Sequence, residues 1–261
     1  MSIQTAHPAI ELAMESNGTG VPVVFLHGLT FDRRTWRPII DRLGDGVRSI
    51  AIDLPGHGDS PGAGMRLDKL ADLIANNLEH ACGVTDPIVV GHSMSGMLAL
   101  TYASAHSVRG VVTVDQPWNV LSFAEAVRQS ARALRGDVFS VAFAPFEQSI
   151  GVGQLAPAIR ADVTARRRVQ RELVLSYWAE VLDTGPGELQ RRIEAYAASV
   201  NVPCLAVFGH ELPAAERRHM TDLVPAVQIT EWDGDGHLVH LAQPARFAAR
   251  LSTFIDSCTT N

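Results

Sequence analysis

Ser93 stands at the apex of a small-residue turn in Pro87-Ile-Val-Val-Gly-His-Ser-Met-Ser-Gly96, where a short apolar run gives way at once to an apolar helical pattern. A strand that turns into a helix so abruptly forces the apex residue into an unfavourable backbone conformation and lifts its side chain above the sheet edge. The residues two places to either side must then be small. Gly91 and Ser95 hold those places. Glycine is usual at the second of them; here Ser95 stands there with Gly96 one step later, and serine is small enough to serve. The stretch reads as a nucleophile elbow with Ser93 as nucleophile. The plainer alternative is a strand-to-helix connection, since serine and glycine are common loop residues, and the choice rests on whether partners for Ser93 occur at the right places.

A serine hydroxyl is a poor nucleophile at neutral pH, so it needs a base within hydrogen-bond reach, and that base needs a carboxylate to orient it. Of ten histidines, His237 lies in Asp233-Gly-Asp-Gly-His-Leu238, a glycine-rich loop between the last apolar strand pattern and the C-terminal helical one. A loop there can bring an imidazole over the sheet edge, and the Gly236-His237 context favours it over His240. These two histidines have no third ligand beside them, so a metal pair is not indicated. An acyl-transfer intermediate carries an oxyanion held by two backbone N–H groups. One comes from the residue after the nucleophile, Met94, and the other from the loop after an earlier strand, Phe25-Leu-His-Gly-Leu-Thr30, where the donor is Leu29. His27 is read as ordering this loop through side-chain hydrogen bonds.

These residues need a rigid frame. Short β-branched runs at 21–26, 48–52, 87–90, 110–114, 202–208 and 227–232 alternate with helical patterns, which predicts crossover units and a mostly parallel, twisted sheet flanked by helices. Ahead of them, Ile10–Glu15, a turn at Asn17-Gly18 and the run from Val21 read as an antiparallel hairpin. The C-terminal stretch 243–257 reads as an amphipathic helix with Pro244 near its start. The rhythm breaks between about Gln116 and Val200, where helical patterns occur at 121–134, 166–182 and 186–199 without a convincing strand. An unstructured loop of that length is improbable, so residues 117–200 are expected to form a helical cap inserted into a core of 1–116 and 201–261. Leaving from the carboxyl end of a strand, such an insertion would cover the site.

The 261 residues carry 46% hydrophobic and 19% charged side chains and a formal charge of −6, spread along the chain. This argues against a nucleic-acid partner, and no apolar run approaches the roughly 18 residues of a membrane helix. Met1–Pro8 lacks the basic start and apolar core of a secretory signal. Cys82, Cys204 and Cys258 are too few and too scattered for a disulfide framework, so a reducing cytoplasm is the expected compartment. The basic cluster Arg166-Arg-Arg-Val-Gln-Arg171 is read as the solvated face of a helix, because Leu173, Val174, Tyr177 and Trp178 follow at helical spacing.

His27-Gly28, Asp53-Leu-Pro-Gly-His-Gly-Asp-Ser60, Gly91-His-Ser-Met-Ser-Gly96 and Gly236-His237 with Gln243-Pro244 occur in that order over nearly the whole chain. In this combination the chain resembles the α/β-hydrolase fold superfamily, in its small capped branch. The resemblance implies a structural role for the 53–60 loop, His57 and Asp59 included. It also places the triad acid a few residues after the strand Pro203–Gly209, at a position that here is Leu212. A leucine cannot orient an imidazole. Two carboxylates could: Asp115 at the end of the strand 110–114, which is favoured, and Glu211 as the alternative. Chain order does not separate them, since both fall between Ser93 and His237.

The chemistry expected is hydrolysis of a carboxylic ester or lactone of a small, fairly apolar molecule through an acyl-enzyme, with no metal, nucleotide or flavin. Gly56-His-Gly58 is too short to be a dinucleotide fingerprint. Carbon–carbon bond or amide hydrolysis on the same machinery, and a slow-turnover ligand sensor of the same fold, are the alternatives. A serine at the elbow argues against dehalogenases and epoxide hydrolases of similar fold, which need a carboxylate there. Trp118, Phe123, Phe139, Phe143, Phe146, Tyr177 and Trp178 supply candidate pocket walls, although their helical spacing favours packing within the insertion for most of them.

Overall fold

The structure is a computed structural model in which residues 10–259 are described; the reading of Met1–Pro8 lies outside them. Seven strands, β1 (Met14–Asn17), β2 (Val21–Leu26), β3 (Val47–Ile52), β4 (Ile88–His92), β5 (Gly110–Val114), β6 (Cys204–Phe208) and β7 (Gln228–Glu231), form one sheet in the order β1-β3-β2-β4-β5-β6-β7. All ladders are parallel except that of β1, which runs antiparallel to β3. β4, β5 and β6 are buried at every position, as strands covered on both faces must be.

Helices α1 (Arg37–Ile40), α2 (Leu67–Cys82) and α3 (Met94–Ala105) join the first strands. Between β5 and β6 run α4 (Leu121–Gln129), α5 (Ala131–Arg135), α6 (Phe139–Ile150), α7 (Pro157–Arg166), α8 (Arg171–Asp183) and α9 (Pro186–Ala198). The chain then continues through α10 (Ala214–Leu223), α11 (Val239–Ala242) and α12 (Pro244–Thr259). Successive strand residues face opposite sides, so β2 feeds two cores: Val24 and Leu26 pack with Leu70 and Ile74 of α2, and Val23 and Phe25 pack with Phe247 and Leu251 of α12. The helices between β5 and β6 have a smaller apolar cluster of their own around Phe143, Val174 and Trp178.

Three expectations are corrected. β1 does not pair with β2; it lies outside β3, and the turn between β1 and β2 crosses the start of β3. Gly18 and Gly20 have φ of 78° and 108°, and a Cβ on them would lie 2.4 Å from Val47 O and 2.2 Å from Gly46 O. The turn is glycine-rich because backbone passes over backbone, a cause that a sequence cannot tell from a tight hairpin. The helix expected over 121–134 is interrupted at Ser130, because apolar periodicity continues across the break between α4 and α5. The helix expected from Arg166 begins only at Arg171, and residues 167–170 are not helical. Arg167 leaves α7 in an extended conformation, φ −60° and ψ 137°, because its side chain and those beside it are engaged elsewhere.

Candidate active site

Ser93 follows β4 and precedes α3, with φ 55° and ψ −131°, a region that costs on the order of 1–3 kcal/mol for a residue with a side chain. Its N–H donates to Val114 O at 2.8 Å, so the ends of β4 and β5 hold Ser93 and Asp115 side by side. Gly91 is required by contact: a Cβ there would sit 1.8 Å from Ser95 O. The serine in place of the second glycine is used, since Ser95 Oγ donates to His27 O at 2.5 Å and ties the elbow to the 27–30 loop. Gly96 carries the close approach on the other side, where a Cβ would meet the Gln116 Cβ at 2.8 Å.

Asp115 also has a positive φ, 47°, and its N–H donates to Val207 O at 2.7 Å across to β6. Its Oδ2 lies 2.7 Å from His237 Nδ1. Its Oδ1 accepts the Gly209 N–H at 2.9 Å and lies 3.3 Å from His210 Nδ1. The loop bearing His237 reaches this carboxylate because Gly209 and Gly236 pack backbone to backbone: Gly236 N–H donates to Gly209 O at 2.9 Å, and a Cβ on Gly209 would fall 1.9 Å from Gly236 O. Burial by itself would raise the Asp115 carboxyl, but hydrogen bonds from His210, His237 and the Gly209 amide outweigh it and hold the group well below the ordinary carboxylate range. The bond to Asp115 raises the half-exposed His210.

His92 is fully buried between the elbow and this loop, and its Nε2 lies 3.0 Å from the backbone oxygen of His237. Burial first, and then the neighbouring His240 and His237, push it far below the ordinary histidine value, so the ring is neutral and donates Nε2–H to that oxygen. His240, the competitor to His237 in the sequence, is fully buried against Trp36 at a ring separation of 4.6 Å and is not part of the cavity wall.

The 27–30 loop is held by the 53–60 loop. His27 Nδ1 donates to Gly28 O at 2.8 Å while its Nε2 accepts the Leu54 N–H at 3.0 Å, and His57 Nε2 accepts the Thr30 N–H at 3.1 Å. Asp53 accepts from the Arg33 and Asp59 amides at 2.6 and 2.9 Å, and Asp59 pairs with Arg33 at 2.9 Å. Among the described residues, neither the Leu29 nor the Met94 amide is taken up by another backbone carbonyl. Met94 also opens α3, where the helix dipole favours negative charge.

Ser93, His237, Asp115, Leu29 and Met94 all line one cavity of about 470 Å³. Glu211 does not: it is exposed, outside the wall, and Leu212 beside it is buried. The far wall is built from the helices between β5 and β6, with Phe123, Phe143, Phe146 and Trp178 in mutual ring contact. Trp118 and Phe139 are buried away from it. Tyr177 reaches it while donating its hydroxyl to Pro55 O at 2.8 Å. Two features escaped the sequence reading. His210, a second imidazole on Asp115, directly follows Gly209, the first residue after β6, and that adjacency was its only signal. The 166–171 cluster is a solvated face only in part: Arg168 and Gln170 are exposed, but the Arg167 side chain is buried against Thr30 and Phe31, and Arg166 pairs with Asp32 and Asp162.

A profile of the alpha/beta hydrolase family matches residues 23–250. A pimeloyl-[acyl-carrier protein] methyl ester esterase of Sodalis glossinidius is 28% identical, aligned over 94% of this chain and 98% of its own length. A 2-(acetamidomethylene)succinate hydrolase of Mesorhizobium japonicum is also 28% identical, over 95% and 92%. Among solved structures, a thermophilic esterase from Thermogutta terrifontis superposes with a TM-score of 0.73 at 24% identity over 98% of this chain and 97% of that one. An enol-lactonase from Burkholderia xenovorans does so with a TM-score of 0.75 at 17% identity, over 96% and 98%. At these identities the structural likeness speaks to the fold.

Proposed function

From the premise that this chain belongs to the alpha/beta hydrolase family and is a hydrolase, we propose that it cleaves a carboxylic ester or lactone of a small, fairly apolar molecule through a Ser93–His237–Asp115 triad. The observation that carries this reading is the 2.7 Å contact between His237 Nδ1 and Asp115 Oδ2, beside a serine held in a strained elbow on the same cavity. An anionic Asp115 keeps the proton of the neutral imidazole on Nδ1, which leaves the Nε2 lone pair to act as base.

In the proposed sequence Ser93 Oγ attacks the carbonyl carbon as its proton passes to His237 Nε2, and the oxyanion that forms is held by the Leu29 and Met94 amides. Collapse expels the alkoxide, which takes the proton from His237. A water, deprotonated by the same nitrogen, then attacks the acyl carbon, and as the second intermediate collapses His237 returns that proton to Ser93 Oγ and the acid is released. The triad acid thus leaves from β5, and Asp115 takes the part that Leu212 cannot. The aromatic wall of Phe123, Phe143, Phe146 and Trp178 supports an apolar acyl or alkoxy group. The Sodalis relative, a methyl ester esterase, supports ester cleavage over carbon–carbon or amide cleavage.

Hydrolysis of a series of aryl esters by the wild type and by Ser93→Ala tests this. Turnover of many equivalents that disappears in the variant is expected. Turnover that survives Ser93→Ala, or a stoichiometric burst with none after it, removes the proposal; the burst would point to the sensor.

A further inference from the structure

The residue after the Leu29 amide is strained. Thr30 is buried and has φ 73°, a conformation that a β-branched residue rarely takes and that persists only where the surroundings over-determine it. Two elements do so. From the core side, His57 Nε2 accepts the Thr30 N–H. From the helical insertion, Arg167 donates Nε and Nη2 to Thr30 Oγ1 at 3.2 and 2.9 Å, and its guanidinium lies 5.0 Å from the centre of the Phe31 ring. Its remaining terminal nitrogen, Nη1, donates to Glu147 Oε1 at 3.3 Å. The next residue follows suit, the Arg168 N–H donating to Thr30 O at 3.2 Å, and the preceding one, Arg166, pairs with Asp32. Three consecutive residues of the insertion therefore hold three consecutive residues of the loop that carries Leu29.

This arrangement differs from an ordinary surface contact in what it spends. The Arg167 side chain is only 9% exposed, and burying a guanidinium is unfavourable unless its donors are met in a fixed geometry. Here three of them are met, two on one hydroxyl, and that hydroxyl belongs to the strained residue. The peptide plane that carries the Leu29 N–H lies one residue before Thr30 in the same short loop, so fixing Thr30 in place constrains how that plane can turn.

We infer that Arg167 is a positioning residue for the oxyanion hole, holding Thr30 in its left-handed turn so that the Leu29 amide faces the developing oxyanion only while the 166–168 segment is seated on the core. The inference rests on the proposed hydrolytic reading of Ser93, His237, Leu29 and Met94. It gives the insertion a part in the chemical step, separate from its part as the wall of the acyl pocket. A contact that merely stabilises the fold would lower the melting temperature and leave the kinetic constants in proportion. One that orients an oxyanion donor lowers kcat and the affinity for a tetrahedral adduct while substrate binding stays as it was.

The experiment compares wild type, Arg167→Gln, Arg167→Lys, Thr30→Val and the double variant Arg167→Gln/Thr30→Val. Three readouts are taken: kcat and KM on one aryl ester, the inhibition constant of an aryl trifluoromethyl ketone, and amide hydrogen exchange over 28–32. The ketone adds Ser93 Oγ to its carbonyl carbon, passes the serine proton to His237 and leaves the carbonyl oxygen as an anion in the hole, with no group expelled. Loss of one oxyanion donor costs about 100- to 1,000-fold in kcat, and a displaced donor less. Arg167→Gln is therefore expected to lower kcat by about 30-fold with KM within about twofold, to weaken the ketone by a similar factor, and to speed exchange over 28–32. Arg167→Lys, which can still reach Thr30 Oγ1, is expected to recover part of kcat. Thr30→Val removes the acceptor from the other side, and the double variant is expected to fall no more than about twofold below the lower of its parents.

In an enzyme whose turnover depends on Ser93, a kcat for Arg167→Gln within about twofold of wild type overturns this inference and leaves the hydrolase reading standing. So do losses that multiply in the double variant. Unaltered exchange over 28–32 in Arg167→Gln overturns it without reference to any substrate. Turnover that survives Ser93→Ala overturns the hydrolase reading and this inference together.

Discussion

The carboxylate of Asp115 and the imidazole of His237, 122 positions apart in the chain, meet at 2.7 Å because β5, β6 and the loop after β7 are neighbours in the sheet. The other carboxylate oxygen is taken up by the Gly209 amide at 2.9 Å, so the aspartate has an anchor besides the histidine. Asp115→Asn keeps the shape but can no longer fix the imidazole tautomer, and a loss of roughly 10³- to 10⁴-fold in kcat is expected. Glu211→Gln, an exposed change outside the cavity, is expected to stay within about twofold of wild type. The two variants, checked for folding and assayed on one aryl ester, decide the acid; the reverse pattern would move it to Glu211.

The elbow should also show in stability. Ser93 occupies φ 55°, and glycine would relieve strain of about 1–3 kcal/mol while adding about 0.5–1 kcal/mol of unfolded-chain entropy. Ser93→Gly is therefore expected to be inactive and more stable by about 1 kcal/mol, which for a chain of this size is roughly 2–4 °C in melting temperature. A melting temperature unchanged or lowered in scanning calorimetry would mean that the turn is not strained.

Much of this was legible because local chemistry and global position coincide. Gly91, Ser93 and Gly236-His237 carry signals in their own neighbourhoods: a turn too tight for a side chain, and a flexible loop after the last strand. Asp115 and Glu211 could not be separated, because an aspartate at a strand end is common and only the pairing of β5 with β6, and the backbone contact of Gly209 with Gly236, place one of them against His237. The side of β3 on which β1 would pair was invisible, since Gly18 and Gly20 permit a hairpin and a crossing alike. Arg167 was misread for the opposite reason. Its neighbours suit a helix, and the acceptors that draw it out, Thr30 and Phe31, lie 137 and 136 positions away. Periodicity reports what a segment can do alone, and these three depended on partners distant in sequence.

The aromatic wall predicts selectivity by size. Phe146 lines the cavity and packs on Trp178 at a ring separation of 5.0 Å. Its removal takes apolar contact from a long or aromatic acyl group and none from an acetyl group. Phe146→Ala is expected to raise KM for a hexanoyl or benzoyl ester by about 10-fold, about 1.4 kcal/mol of lost burial, with kcat for the acetyl ester little changed. Equal effects on both esters would show that the ring packs within the insertion and does not meet the acyl chain.

Acid sensitivity follows from four buried imidazoles. Burial first of all lowers His27 to about 4, His57 and His240 to about 3, and His92 well below its ordinary 6.5. In the unfolded chain these rings take up protons as the pH drops through 6.5, while the folded state refuses them. The unfolded state then binds more protons, and stability falls with falling pH by up to about 1.4 kcal/mol per unit for each ring. His210 has the opposite sign: its bond to Asp115 raises it, so its contribution is present below 6.5 and is lost as the pH rises through its folded value. One such group does not offset four. Against a total stability of about 5–15 kcal/mol, the melting temperature is expected to fall steeply between pH 6.5 and 4.5. His240→Leu, which removes a ring with no hydrogen-bond partner for either nitrogen among the described residues, is expected to flatten that decline by about one ring's share. Unfolding by urea at pH 7 and pH 5 measures the slope directly, and equal slopes for wild type and His240→Leu would show that His240 is not excluded from protonation by the fold.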